Sequence, residues 1–184
     1  MGKGKLLPEK AEILGLLCAE GTHYKYATEY LEFDRRRNKR YRRRKIVEAI
    51  EFSNNPKLLQ YFRKLMDKIY IHIPQCHTGK TTARKTVIKK KAVVRDLLWW
   101  TKFGWQKWKV PKEIINGSDE EKARFIRGFY EGDGIRPGFV NNSSWRIRIA
   151  SKNKSGLRQI QKLLLDLNVS LMFTLALNAE RCMN

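Results

Sequence analysis

At 184 residues the chain is long enough for one ordinary domain, or two small halves sharing a core, and its 42% hydrophobic content suffices to bury that core, which excludes a disordered tail. Lys and Arg number 39 against 18 Asp and Glu, and the formal net charge of +21 repels itself in a compact fold unless a polyanion compensates, so nucleic acid leads the partner classes. The longest apolar runs, ILGLLCA and LMFTLAL, fall far short of the ~20 residues a membrane-spanning helix needs.

The start MGKGKLLPEK, followed by ILGLLCA, imitates a short signal peptide, but Glu20 follows at once and no small-x-small cleavage site appears. Leu6 stands where a myristoylation pattern needs Ser or Thr. Cys18, Cys76 and Cys182 are spaced too widely for a disulfide framework in a chain this large. The expectation is a reduced, intracellular protein, in the cytoplasm of a prokaryote or in an organelle.

The first helix reads from Pro8 through Ile13, Leu16 and Leu17 to Gly21, where a left-handed cap is expected, so that the helix ends on Glu20. Tyr24, Tyr26, Thr28 and Tyr30 alternate through a strand from Thr22 to Phe33. An Arg-rich loop and a second strand near Ile46 to Phe52 follow. Between them, Arg35 to Lys45 packs nine cations into eleven residues: Arg35, Arg36, Arg37, Lys39, Arg40, Arg42, Arg43, Arg44 and Lys45. Asn55 then caps a helix with Pro56 at its first position and Leu58, Leu59, Phe62, Leu65, Met66 and Ile69 on one face. A second hairpin is expected through Ile69 to Ile73 and Arg84 to Lys91, with a further basic cluster from Lys80 to Lys91, and a helix from Ala92 to Trp100. Lys109 to Gly117, holding Pro111 and Gly117, is the best linker candidate.

Ser118 and Glu121 form a capping-box pattern that opens a helix running to Gly134 and ending on Asp133. Trp145, Ile147 and Ile149 alternate with Arg146, Arg148 and Ala150 in a strand with one apolar and one cationic face, and Ser155 is expected to cap a helix built on Leu157, Ile160, Leu164 and Leu167. SNNPKLL (Ser53 to Leu59) aligns with SKNKSGL (Ser151 to Leu157), so the chain repeats helix, hairpin, helix. The two helix-ending acids lie 15 residues further apart than the two aligned serines, and this excess falls on Arg35 to Lys45. A long cationic ribbon or loop reaching from the core is therefore expected.

Small residues recur four apart on the acid-ending helices, Gly15 and Ala19 on one, Gly128 and Gly132 on the other. Two faces cleared in this way can approach backbone to backbone, which would set Glu20 and Asp133 side by side. Carboxylates so placed, each at the negative end of a helix, repel one another unless a proton or a divalent cation intervenes, and oxygen ligands favour Mg²⁺ or a similar hard ion.

The nonapeptides ILGLLCAEG (Ile13 to Gly21) and IRGFYEGDG (Ile126 to Gly134) resemble the motif of the LAGLIDADG homing endonucleases, specifically the single-chain type with two copies. The resemblance implies an α+β fold of two pseudo-symmetric halves packed through the motif helices, each half presenting a curved antiparallel sheet, the two sheets forming a DNA-binding saddle. The halves would be 1–110 and 118–184, joined by 111–117. The C-terminal half reads as truncated, because only one strand, Leu171 to Leu177, can follow a helix ending near Val169. The resemblance further implies that Glu20 and Asp133 are the catalytic acids that bind Mg²⁺ or Mn²⁺. A basic or polar residue beside each scissile phosphate would be Lys152 and, in the first half, Ser53 or Asn54. Departures are Cys18 for the usual first acid, Glu20 for the usual Asp, and Gly132 for Ala.

The activity expected is that of a monomeric site-specific endonuclease that makes a staggered double-strand break by metal-assisted phosphodiester hydrolysis. Its target would be long, asymmetric, double-stranded DNA, and with no splicing domain around the motifs the enzyme would be free-standing and intron-encoded. DNA contacts are expected from the Arg35 to Arg44 cations, from Lys80, Arg84, Lys85 and Lys89, and from Arg136. Arg146, Arg148 and the first strand are placed to read base edges. The rival class is a non-cleaving nucleic-acid binder on the same scaffold, an RNA-splicing maturase or a transcription regulator. Intact acids argue against a regulator and leave a bifunctional maturase open.

Other signals weigh less. HTGKTT around Lys80 imitates the end of a P-loop, but Pro74 occupies the position that needs Gly. His72, Cys76 and His77 lack a fourth ligand at zinc spacing. Trp99, Trp100, Trp105 and Trp108 are expected to complete a core rather than stack on bases.

Overall fold

Helix α1 (Pro8–Glu20) has no polar stripe, and every residue from Ala11 to Cys18 is buried. A helix buried on every side along this stretch must be surrounded by other elements, so α1 forms the axis of the fold. The computed structural model describes residues 6–78, 84–140, 144–149 and 151–169. Lys80, Ala150 and the expected strand Leu171 to Leu177 lie outside them.

α1 runs directly into β1 (Gly21–Asp34). Gly21 is extended, φ −81° and ψ 139°, and not left-handed as its place after a helix suggests. Glycine is required there for space, because a Cβ would collide with the Leu17 carbonyl. β1 pairs antiparallel with β2 (Lys39–Asn54) from Gly21 opposite Phe52 to Asp34 opposite Lys39. Only Arg35 to Asn38 turn, with Asn38 at φ 49° and the Asp34 carboxylate accepting the backbone N–H groups of Arg36 (2.9 Å) and Arg37 (3.3 Å). The basic segment is thus mostly strand, not loop, and β2 begins at Lys39 rather than near Ile46. Its first half shows no hydrophobic alternation because both faces are in solvent.

α2 (Pro56–Tyr70) starts where Asn55 Oδ1 accepts the Leu58 N–H at 3.0 Å and buries Leu58, Leu59, Phe62, Leu65 and Met66. It continues through Ile69, and Ile71 ends it in the left-handed region at φ 47°, so the strand expected at Ile69 to Ile73 does not form. The short hairpin lies later, as β3 (Gln75–Thr78) and β4 (Arg84–Ile88), and completes a sheet of order β1-β2-β4-β3. α3 (Lys91–Trp100) and the single turn α4 (Lys112–Ile115) follow. α4 lies in the segment read as a linker, and there Val110, Pro111 and Ile114 are buried.

α5 (Asp119–Asp133) opens on a full capping box between Ser118 and Glu121. β5 (Gly134–Val140) and β6 (Ser144–Ile149) form an antiparallel pair with an irregularity between Ile135 and Gly138. α6 (Lys154–Asp166) is capped by Asn153, whose side chain accepts the Gly156 N–H at 3.0 Å, and not by Ser155. Asn153 aligns with Asn55, so the repeat places equivalent caps. The core joins α1, α2, α3, α5 and α6 over one face of the larger sheet, with Phe52 against Phe62 (4.5 Å between ring centroids) and Trp108 against Phe129 (4.8 Å). Trp108 is core, Trp100 half-buried, but Trp99 and Trp105 are 70% and 69% exposed, contrary to the expectation of a purely structural set.

Candidate functional site

The two motif helices meet at contact distances that leave no room for side chains at their small residues. A Cβ on Gly15 would strike the Phe125 carbonyl, and one on Gly128 the Glu12 carbonyl and, at 3.0 Å, the Leu16 nitrogen. A Cβ on Gly132 would lie 2.5 Å from the Ala19 Cβ and 3.4 Å from the Glu20 Cγ. Gly15, Ala19, Gly128 and Gly132 therefore line one seam, and its last rung brings the end of α1 against the end of α5.

Glu20 and Asp133 are both half-buried at that end. Burial first, and the negative charge of Glu20 second, push the Asp133 carboxyl up from its ordinary 3.8 to about 7. Burial also raises Glu20. Each acid stands at a helix C-terminus with no basic residue in the last turn, and neither has an ion-pair partner among the described residues. Two destabilised carboxylates in one place form an oxygen donor pair that suits a hard divalent ion, whose remaining positions water and phosphate oxygens can fill. Among the described residues no cluster of three or more His, Cys, Asp or Glu side chains offers a metal site, so His72, Cys76 and His77 form none. Cys18 is buried in the core, and burial pushes its thiol up, so it remains a neutral core group.

The seam also holds a carboxylate that motif reading passes over. Glu12 is fully buried and meets Arg124 (3.1 Å) and Arg127 (3.3 Å) of α5, while the Tyr61 hydroxyl of α2 donates to it at 2.5 Å. The one charged residue between Ala11 and Ala19 on the first motif helix, set beside Arg124-x-x-Arg127 on the other, is the signal that marks it.

Lys152 is exposed just before the α6 cap, its ammonium 4.9 Å from the Trp105 ring centroid. At the matching place in the first half, Ser53 donates to Glu51 (3.3 Å), which also pairs with Lys85 (2.9 Å), the residue opposite Ser53 in the β2–β4 register. Asn54 instead accepts the Asn55 N–H at 2.8 Å.

The two faces of the larger sheet differ. Ile50, Phe52, Thr86 and Ile88 share the face under the helices. Glu51, Ser53, Lys85 and Tyr24 share the other, and by strict alternation Tyr26, Val47, Lys45, Tyr30, Arg43, Tyr41 and Lys39 continue it along the ribbon. Arg40, Arg42 and Arg44 continue the helix-side face. Arg35, Arg36 and Arg37 occupy the turn, and all these cations are exposed. Arg43 pairs with Glu32 (3.0 Å) and Arg42 with Glu29 (3.8 Å). Arg84 and Lys89 are exposed at the two ends of β4. Arg136 lies on β5 within its irregularity, and on β6 Arg146 and Arg148 stand opposite Gly138 and Ile135.

A family model described as a LAGLIDADG-like domain matches residues 120–171. The chain is 24% identical over 169 residues to the NrdEB alpha subunit of ribonucleoside-diphosphate reductase from Bacillus subtilis strain 168, and equally to that of Bacillus phage SPbeta. The match takes in 88% of this chain but spans only 14% of the length of those curated relatives. Among solved structures, mesophilic variants of the homing endonuclease I-DmoI superpose with a TM-score of 0.58 at 20% identity, over 88% of this chain and 73% of theirs. A variant of I-DmoI in complex with its nicked target DNA and Mn superposes at 0.54 and 17%, over 88% and 77%. I-SmaMI bound to uncleaved DNA with calcium superposes at 0.51 and 11%, over 94% and 76%. Residues 120–171, which hold the second motif, thus match a LAGLIDADG-like domain, and the chain as a whole has the α+β fold of the homing endonucleases I-DmoI and I-SmaMI, with two motif helices packed within one polypeptide.

Proposed function

We propose that the protein is a site-specific DNA endonuclease that cuts both strands of a long, asymmetric duplex target to leave a staggered break, acting as a monomer. The observation that carries this is the pair Glu20 and Asp133: half-buried, unpartnered by any described cation, and mutually repelling at the close of the seam. I-DmoI and I-SmaMI, of the same fold, are described with target DNA together with Mn, Mg or calcium. In this reading Glu20 and Asp133 hold Mg²⁺ or Mn²⁺, which when bound supplies positive charge against the scissile phosphate and its leaving 3′ oxygen.

The chain's own groups do the rest. Asp133 must lose the proton that burial favours before it can serve as a ligand. The Lys152 ammonium meets charge developing on one phosphate, and Lys85, beside Ser53, is its counterpart in the first half. Ribbon cations take backbone phosphates and fix register, whereas Arg146, Arg148 and the open-face residues of β1 read base edges. The match to a seventh of a reductase subunit favours a segment carried inside a host polypeptide over a free intron-encoded enzyme, and the size of the product on an immunoblot separates the two.

Incubating the full chain with a library of long duplexes and Mg²⁺, then sequencing the ends, tests the activity. The expected result is one family of asymmetric sites with short overhangs, lost in Glu20→Gln and in Asp133→Asn. Retained RNA binding with no cut ends at any metal concentration would instead establish the non-cleaving maturase.

A further inference from the structure

We propose that Trp105 is a positioning residue that holds the Lys152 ammonium at the scissile phosphate, an assignment that rests on the role given to Lys152 above. Trp105 is 69% exposed, so burial does not explain an indole at this position. Its ring lies 4.9 Å under the Lys152 ammonium. Both ends of that contact are fixed. The loop is closed at its base by Thr101, whose hydroxyl donates to the Lys109 carbonyl (2.8 Å) and accepts the Lys109 N–H (3.1 Å). Phe103 and Trp108 are buried on either side of the tip. At the tip the Lys107 N–H reaches the Gly104 carbonyl (3.0 Å), and Trp105 stands between Gly104 at φ 113° and Gln106 at φ 59°. A non-glycine residue in the left-handed region persists only where its surroundings impose it.

The loop is also fastened to the half that carries Lys152. Asn153, the next residue, donates its side-chain N–H to the Trp108 carbonyl at 2.6 Å while capping α6. The Trp108 ring occupies the space that a Cβ on Gly156 would need. A segment of the first half thus presents an aromatic face to the candidate cation of the second. No carboxylate pairs with Lys152 among the described residues. An aromatic face attracts the ammonium without neutralising it, restricts its flexible stem, and leaves N–H donors free for a phosphate oxygen.

The test uses the full chain and a duplex target recovered by the selection above, comparing Trp105→Ala, Trp105→Phe, Lys152→Ala and the Trp105→Ala/Lys152→Ala double variant. Single-turnover cleavage by Trp105→Ala is expected to slow about fivefold, the size of an exposed cation–π contact, with affinity for the duplex in calcium unchanged and most of the rate restored in Trp105→Phe. The double variant should cleave no more slowly than Lys152→Ala. In the DNA-free protein, the Lys152 ε-methylene protons should carry an upfield ring-current shift that Trp105→Ala removes. Additive losses in the double variant, or a loss confined to affinity, as expected if the indole stacks on a base, overturn the proposal. Slow cleavage by Lys152→Ala with a full rate in Trp105→Ala removes this proposal alone, whereas a full rate in Lys152→Ala removes the role of Lys152 as well.

Discussion

Asp133 gives the residue scale its clearest pH dependence. Its carboxyl titrates near 7 in the fold against 3.8 ordinarily, because burial and the Glu20 charge both oppose ionisation. Between those values the folded chain holds a proton that the unfolded chain has released, so the metal-free fold loses stability as pH rises through that window. If divalent cations bind the ionised pair, as proposed, the rise in Tm on adding Mg²⁺ should be small at about pH 6 and larger at about pH 8. Glu20→Gln removes the like charge, and NMR titration should find Asp133 ionising at lower pH than in the parent chain. Equal Mg²⁺ shifts at both pH values, or an unmoved Asp133, would show that the two acids act apart.

At the scale of elements, the β1–β2 ribbon distributes its cations over two faces. The open face of the sheet, marked by Glu51, Ser53 and Lys85, continues into Lys39, Arg43 and Lys45, while Arg40, Arg42 and Arg44 continue the face under the helices. If the open face meets the duplex, replacing Lys39, Arg43 and Lys45 with Ala should make the slope of log K against log salt shallower by about 2 to 3. The same change at Arg40, Arg42 and Arg44 should move it by less than about 1. Salt titrations on specific and random duplexes read both, and equal slopes for the two triple variants would mean that the ribbon twists or wraps so that neither face is privileged.

The whole molecule turns on the α1–α5 seam. Gly128→Ala sets a methyl against the Glu12 carbonyl and the Leu16 nitrogen, both backbone, so the helices must separate. Overpacking of this kind should cost about 3 kcal/mol or more, against about 1 for Ala123→Gly on the exposed side of α5, measured by denaturant unfolding. The Glu12 network ties three helices across the same seam, and losing one partner strands the others. Asymmetry is the other global feature. The first sheet has four strands, and the second has two among the described residues. The expected footprint is longer, and more stringent in its outer bases, on the first half's side of the cut. A base-substitution scan with equal tolerance in both half-sites would refute it.

Much of this was legible in one dimension. Helix existence followed from apolar spacing and caps, as at Asn55 and Ser118, because a cap is a contact between residues three apart. The pairing of Glu20 with Asp133 was readable too, since four-residue spacing of Gly15 with Ala19, and of Gly128 with Gly132, fixes which faces can touch. The extent of β2 was not, because a strand with solvent on both faces needs no hydrophobic alternation. Nor was the shift of the second hairpin, since Ile69 and Ile71 serve a helix end as readily as a strand. Tertiary structure alone decided the rest: that Glu12 is a buried partner of two arginines, that Lys85 stands beside Ser53, and that Trp105 reaches Lys152 from the other half. Each of these joins residues far apart in the chain, and no local pattern encodes a contact whose partner is chosen by packing.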